Sequence, residues 1–352
     1  FKVSAEFAAS MERSPQSEAL LARFFATTCR GEGIRHLESE AVAKLIEYSA
    51  RLAGHGRRLS NHFLDLTNLL READYWSGKA GRGLVSADDV RQALAQRQAR
   101  AVLEAIGYGL ITSHSSGSLV GEINGLTVLT RGDFSFGMPS RISAAVGLGD
   151  GRVEDIEGEV ALSGAFHSKG VRILEGFLRR RYMVDEPLSL IGSLTFEQSY
   201  AMVDGDSASA AELLALLSAL ADLPLRQDLA LTGAIDQVGR VQAIGGINEK
   251  VEGFFRVCRQ NGFAGTHGVV FPAANVQQLM LEDEVVASMK AGAFHLYPVD
   301  HVDALLSLFM GVEAGQRGAD GAYPAASVNG KVERRLARLA ERRQRLGLPL
   351  MG

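Results

Sequence analysis

A serine and a lysine carry the strongest chemical signal in this 352-residue chain. Ser207 lies in Val203-Asp204-Gly205-Asp206-Ser207-Ala208-Ser209-Ala210-Ala211, where a glycine permits a tight turn and small residues let another backbone come close. A helical pattern starts here, and the free N–H groups of a helix N-terminus can stabilise a developing oxyanion. Serine at such a position is also the ordinary N-cap. Lys250 lies in Gly245-Gly246-Ile247-Asn248-Glu249-Lys250-Val251, in the first turn of another helical pattern. The partial positive charge of a helix N-terminus disfavours a cation there. With burial, that would draw a lysine from ~10.4 toward ~7–8, where the amine serves as a general base. The plainer alternative is an exposed lysine beside Glu249. A serine nucleophile needs a base, and a Ser–Lys pair is one known form of that arrangement. The eight histidines, His36, His55, His62, His114, His167, His267, His295 and His301, lie in no catalytic motif. There is no G-x-S-x-G and no H-E-x-x-H, so nothing points to a triad or a zinc peptidase.

The elements that must hold these two residues fall into regions. Residues 1 to about 105 read as four helices: one after Pro15 and Ser17, then about Ser39–Ala53, about Ser60–Trp76, and one capped by Ser86 with Asp88 and Asp89 in its first turn. After about Gly107 short strand-like runs alternate with helical stretches. These are strands at Leu119–Ile123, Leu126–Thr130, Ile142–Val146, Leu188–Glu197, two around Asp236–Gly239, Gly268–Pro272 and His295–Val299. Helices fall at about Lys169–Arg180, Ala208–Ala221, Asn248–Gln260, Val285–Ala291 and Val302–Phe309. This order predicts an α+β fold behind a small all-α domain, with boundaries at 1–107, 108–312 and 313–352. Residues 313–330 are rich in Gly, Ala and Ser and read as a linker. Lys331–Leu346 then carries seven Lys or Arg and two Glu, with Val332, Leu336 and Leu339 on one face. That is a solvated helix packed by its apolar stripe, or an arm making weak contact with nucleic acid or a membrane surface.

Composition narrows the classes. Apolar residues are 46% and charged residues 22%, ordinary for a globular protein with a large core. The net charge of -4 argues against a protein built chiefly to bind nucleic acid. Two cysteines, Cys29 and Cys258, exclude a disulfide scaffold and a cysteine zinc site, and read as buried thiols in a reducing compartment. No apolar run reaches the ~18 residues that span a bilayer.

Three separated motifs then agree in order and spacing. They are Gly205-Asp206-Ser207-Ala208-Ser209, Pro224-Leu225-Arg226-Gln227-Asp228-Leu229-Ala230-Leu231-Thr232-Gly233 and Gly245-Gly246-Ile247-Asn248-Glu249-Lys250. They resemble the proteolytic domain of Lon proteases over about residues 110–312, including the 43 positions from Ser207 to Lys250. The acid-Ser-Ala-Ser form is similar to the B-type branch. Residues 1–105 resemble the small helical subdomain that closes the AAA+ ATPase module of such proteins. The resemblance implies a hydrolase, an ATP-dependent-type serine endopeptidase cutting unfolded proteins, with Ser207 as nucleophile and Lys250 as general base. It gives Thr232 the task of hydrogen-bonding the lysine amine, unless Thr232 is a plain strand threonine. Asp206 either faces Lys250 and holds a resting pair or faces solvent and shapes the loop. Ser209 is the rival nucleophile, offset to another side of the helix.

Some positions depart from the family pattern. Ala201 stands where the B-type motif often has an acid. His62 stands where AAA+ proteins place a phosphate-sensing arginine, with Arg57 and Arg58 near it. No G-x-x-x-x-G-K-[ST] occurs. With Phe1 as first residue, the expectation is a piece of a longer cytoplasmic protein. Its parent would bind ATP and magnesium through a preceding subdomain, this piece would hold no cofactor, and the whole would assemble as a homo-oligomeric, hexameric ring. A catalytically idle ring scaffold or binding module is the alternative function; Ala201 and His62 favour it, while Ser207, Thr232 and Lys250 oppose it.

Overall fold

The helix starts follow local chemistry. Ser14 and Ser17 form a capping box, with Ser17 N–H donating to Ser14 Oγ at 3.2 Å and Ser14 N–H to Ser17 Oγ at 2.8 Å, and Pro15 occupies the first turn. A computed structural model describes residues 8–106, 114–131, 134–182, 188–197 and 202–347. Two compact units divide it: Phe1–Gly109 with Thr130–Phe136 and Gln277–Leu281, and Leu110–Leu129 with Gly137–Val276 and Glu282–Gly352.

The first unit contains β1 (Ser10–Glu12), α1 (Pro15–Glu32), α2 (Ser39–Leu52), β2 (Arg58–Ser60), α3 (Phe63–Lys79) and α4 (Ala87–Ile106). Leu21, Phe25, Leu45, Leu66, Leu69, Leu70 and Val90 form its core. Asp89 caps α4 by accepting Ser86 N–H at 2.9 Å. The third helix begins at Phe63 rather than near Ser60, because Arg58–Ser60 is drawn into an antiparallel pair with β1, Ser10 opposite Ser60. Three-residue strands carry too little alternation to be seen in a sequence.

Apart from Thr130–Phe136 of β4 and β5, the second unit opens with β3 (Ser118–Leu119), β4 (Glu122–Arg131), β5 (Phe134–Leu148), β6 (Arg152–Asp155), α5 (Ile156–Glu159), α6 (Ala165–Tyr182) and β7 (Leu190–Phe196). It continues through α7 (Ser209–Ala221), β8 (Leu225–Arg226), β9 (Leu229–Leu231), β10 (Ala234–Ile235), β11 (Val241–Gln242), α8 (Ile247–Asn261) and β12 (Gly268–Pro272). It closes with α9 (Asp283–Lys290), β13 (His295–Val299), α10 (Val302–Met310) and α11 (Val328–Arg345). The fold is mixed α and β, as expected. A seven-stranded sheet runs β13-β12-β9-β4-β5-β7-β6, parallel among β13, β12, β9 and β4 and between β6 and β7, antiparallel between β5 and β7. The turn between β10 and β11 is tied by Asp236 Oδ1, which accepts Val238 N–H at 3.0 Å and Arg240 N–H at 2.9 Å.

The core of this unit centres on α7, whose leucines 213, 214, 216, 217 and 220 are all buried. A helix apolar on every side belongs inside a protein. The stripe Val328, Val332, Leu336 and Leu339 of α11 joins the same core. Residues 313–330, read above as a linker, are correspondingly pinned. Val328 N–H donates to Glu313 O at 3.0 Å, Asn329 N–H to Ala314 O at 3.0 Å, and Tyr182 O–H to Asn329 Oδ1 at 2.6 Å. The small residues there serve close packing: a Cβ on Gly330 would strike the Pro324 carbonyl. Cys29 and Cys258 are both free and buried.

Candidate active site

Each of the two chemical residues enters the site from a turn that only its sequence allows. Gly205 has φ +94°, and the chain then turns through Asp206, Ser207 and Ala208 before α7 begins at Ser209. Ser207 therefore sits just ahead of the helix and is not its N-cap. Gly246, at φ +68°, opens α8. A Cβ there would clash with Val128, so the position is reserved for glycine in both conformation and space. Lys250 follows one turn later, its N–H donating to Gly246 O at 3.0 Å. On the other side of α8, Gly137 of β5 lies against the helix backbone. A Cβ on Gly137 would come 2.6 Å from Lys250 Cα.

These elements bring Lys250 Nζ to 2.8 Å from Ser207 Oγ and 3.1 Å from Thr232 Oγ1. Thr232 follows β9, is fully buried, and donates its hydroxyl to Ser207 O at 3.3 Å. Gly233 N–H donates to the same carbonyl at 2.8 Å, and Ala210 N–H donates to Gly233 O at 3.0 Å. The nucleophile loop is thus stitched to the end of β9. Among the described residues the Ser207 and Ala208 N–H groups make no hydrogen bond. They are donors beside the hydroxyl.

Lys250 is 3% exposed, and burial lowers its pKa from 10.5 to about 8, with Asp206 and Glu249 pulling the other way. Asp206 is half-buried and forms no ion pair with Lys250 among the described residues, yet its charge acts on the amine through space. That lies between the two alternatives the sequence leaves open. Ser209 is turned away from the dyad. Its Oγ donates to Asp206 O at 2.8 Å and accepts Ile235 N–H at 3.1 Å. Ala201 lies outside the described residues. In the first unit His62 is exposed beside Asp65 at 4.0 Å, and Arg58 is committed to Ser10 at 2.7 Å.

One histidine that the motifs pass over, His167 on α6, is buried between two carboxylates. Its Nε2 is 2.8 Å from Glu212 Oε1 and its Nδ1 3.1 Å from Asp155 Oδ2. The partners lie 45 and 12 positions away, so no local spacing reveals the cluster. The sequence signal is Glu212, the one charged residue in the Leu- and Ala-rich α7.

Known proteins match on both units. Residues 36–100 match the archaeal LonB AAA+ ATPase LID domain, and residues 200–311 the Lon protease (S16) C-terminal proteolytic domain. The chain carries, in that order, a LID domain and a proteolytic domain of the Lon protease family. Among relatives, a putative Lon protease homolog of Escherichia coli is 46% identical over 57% of this chain and 34% of its own length. One of Haemophilus influenzae is 36% identical over 85% of this chain and 51% of its own. An archaeal Lon protease of Thermococcus kodakarensis is 27% identical over 85% and 46%. The chain spans about a third to a half of the length of these relatives. No helix among the described residues is long and apolar enough to cross a membrane.

Proposed function

We propose that this chain is the peptide-cleaving part of a Lon-like serine endopeptidase, with Ser207 and Lys250 as its dyad. The observation that carries the reading is the 2.8 Å contact between a half-buried hydroxyl and a buried amine that ionises at about 8. In its neutral form the amine accepts the Ser207 proton while Oγ bonds to the peptide carbonyl carbon. The resulting oxyanion meets the Ser207 and Ala208 N–H donors. The C–N bond breaks as the Lys250 ammonium returns its proton to the leaving amine. Water then attacks the acyl ester with Lys250 again as base, and Ser207 is regenerated. Thr232 holds Nζ toward Ser207, and Asp206 tunes the amine by its charge.

The wider protein is proposed to unfold and feed protein substrates with ATP and magnesium bound outside the nucleophile domain. It is proposed to act as a homo-oligomeric, hexameric ring in the cytoplasm, where two unpaired buried thiols are at home. The exposed arginines 335, 338 and 342 of α11 suit weak contact with nucleic acid. Reversing those three charges should flatten any salt dependence of DNA binding.

The deciding test is covalent labelling by a serine-reactive fluorophosphonate. Wild type should label, and Ser207→Ala and Lys250→Ala should not. A wild type inert at pH 8–9, where half or more of the amine is neutral, would leave an idle scaffold as the better reading.

A further inference from the structure

The loop that carries Ser207 is contacted at its start by the segment leading into α6 and further on by α6 itself. At its start, Val203 N–H donates to Leu162 O and Gly164 N–H to Val203 O, both at 2.8 Å. Further on, a Cβ at Gly170 would lie 3.6 Å from Asp206 Cβ and 3.5 Å from Ser209 Cβ, so the helix rests directly on the loop. Between these two contacts stands His167, bonded across to Glu212, one turn into α7. We propose that His167, as an imidazolium, is a positioning residue that pins α6 to α7 and so fixes the Ser207 loop in reach of Lys250. This rests on Ser207 being the nucleophile.

The charge follows from the donor count. A neutral imidazole has one N–H, so one of its nitrogens would face a carboxylate oxygen with a lone pair. Both nitrogens lie within hydrogen-bond distance of carboxylates, which the cation satisfies when both carboxylates are ionised. Burial works against that charge, but the Glu212 hydrogen bond and the charges of Glu212 and Asp155 outweigh it and raise the pKa from 6.5 to about 9. Burial also raises Glu212, whose pull back comes from His167.

The remaining neighbours leave the clamp intact. Glu157 on α5 adds a negative charge felt by Glu212, but accepts Thr195 Oγ1–H and Phe196 N–H, each at 2.8 Å. Ser163 O–H donates to Asp155 Oδ2 at 3.0 Å. The Phe196 ring closes the last side of the imidazole, 5.4 Å between centroids. Among the described residues Glu212 Oε2 has no partner, so His167 is what satisfies that carboxylate.

The pH profile of fluorophosphonate labelling tests this without any variant. Wild type should rise through about 8 as Lys250 becomes neutral and fall above about 9 as His167 loses its proton. Glu212→Gln should keep the optimum within a few-fold and lose the falling limb, because an amide can donate to a neutral imidazole. His167→Gln should label about tenfold or more slowly at every pH, since a displaced nucleophile loses orientation. A wild-type profile that stays flat to pH 10.5, or a falling limb that survives in Glu212→Gln, would overturn the proposal. If wild type labels at no pH, the nucleophile reading fails. The clamp is then judged by amide hydrogen exchange over residues 203–211. Opening through pH 9 in wild type and not in Glu212→Gln supports it, and unchanged protection refutes it.

Discussion

Replacing Lys250 with methionine should make the protein inactive and more stable. The amine is 3% exposed and ionises at about 8 against an ordinary 10.5. At ~1.4 kcal/mol per decade of proton affinity, holding the charged form inside costs the fold about 3 kcal/mol. The unfolded chain binds this proton more tightly than the folded one. The lysine's contribution to stability is therefore lowest below pH 8 and recovers as pH rises toward 10.5. A thioether avoids that cost but leaves the Ser207 and Thr232 hydroxyls without the amine, at roughly 0.5–1 kcal/mol each. Lys250→Met should therefore gain about 1–2 kcal/mol near pH 6.5, and the gain should vanish or reverse by pH 10. His167 titrates in both proteins and cancels in the difference. Urea unfolding followed by far-UV circular dichroism is the assay, because the lone tryptophan, Trp76, lies in the first unit. A variant less stable than wild type at pH 6.5, or an offset independent of pH, would refute the reasoning.

Asp206→Asn removes a charge that holds the Lys250 pKa up, so the rising limb of the labelling profile should move to lower pH and labelling at pH 7 should increase about threefold; a shift to higher pH would contradict the electrostatics. Gly137→Ala inserts a methyl against the Lys250 backbone and should cost about 2–3 kcal/mol and slow labelling about a hundredfold, read by thermal melts and probe kinetics; an unchanged melting temperature would count against the close packing. Deleting residues 328–352 strips Val328, Val332, Leu336 and Leu339 from the core, at about 1.5–3 kcal/mol each, comparable to the whole stability of a domain. The truncated protein should show no cooperative unfolding of the proteolytic unit, and a well-folded, labelling-competent truncation would show that α11 is dispensable.

The meeting of Ser207 and Lys250 was legible because the turns that present them are written locally. Gly205 and Gly246 each mark a turn beside the residue it presents, and the leucines of α7 announce a buried helix. What was hidden depends on long-range meetings. His167 gains its meaning from Asp155 and Glu212, which no periodicity links to it. The β1–β2 pair joins segments nearly fifty residues apart with only three residues each. Residues 313–330 mislead by composition, because glycine that frees a chain and glycine that lets two backbones touch are the same letter. Gly330 is of the second kind. The stripe of α11 was seen, but which core it would enter depends on the leucines of α7.

The Ser207 hydroxyl and the Lys250 amine belong to different elements, one in the turn ahead of α7 and one inside α8, joined through Thr232 at the end of a short strand. A protease must survive being made in the company of its own unfolded copies. As the proposed dyad, the pair exists only while the turn before α7 and the start of α8 are both seated. If α8 lifts by an ångström or two, the serine becomes an ordinary alcohol. Under the proposed function, a nascent chain, or an ageing one beginning to open, is disarmed before it becomes digestible, so the fold acts as its own safety catch.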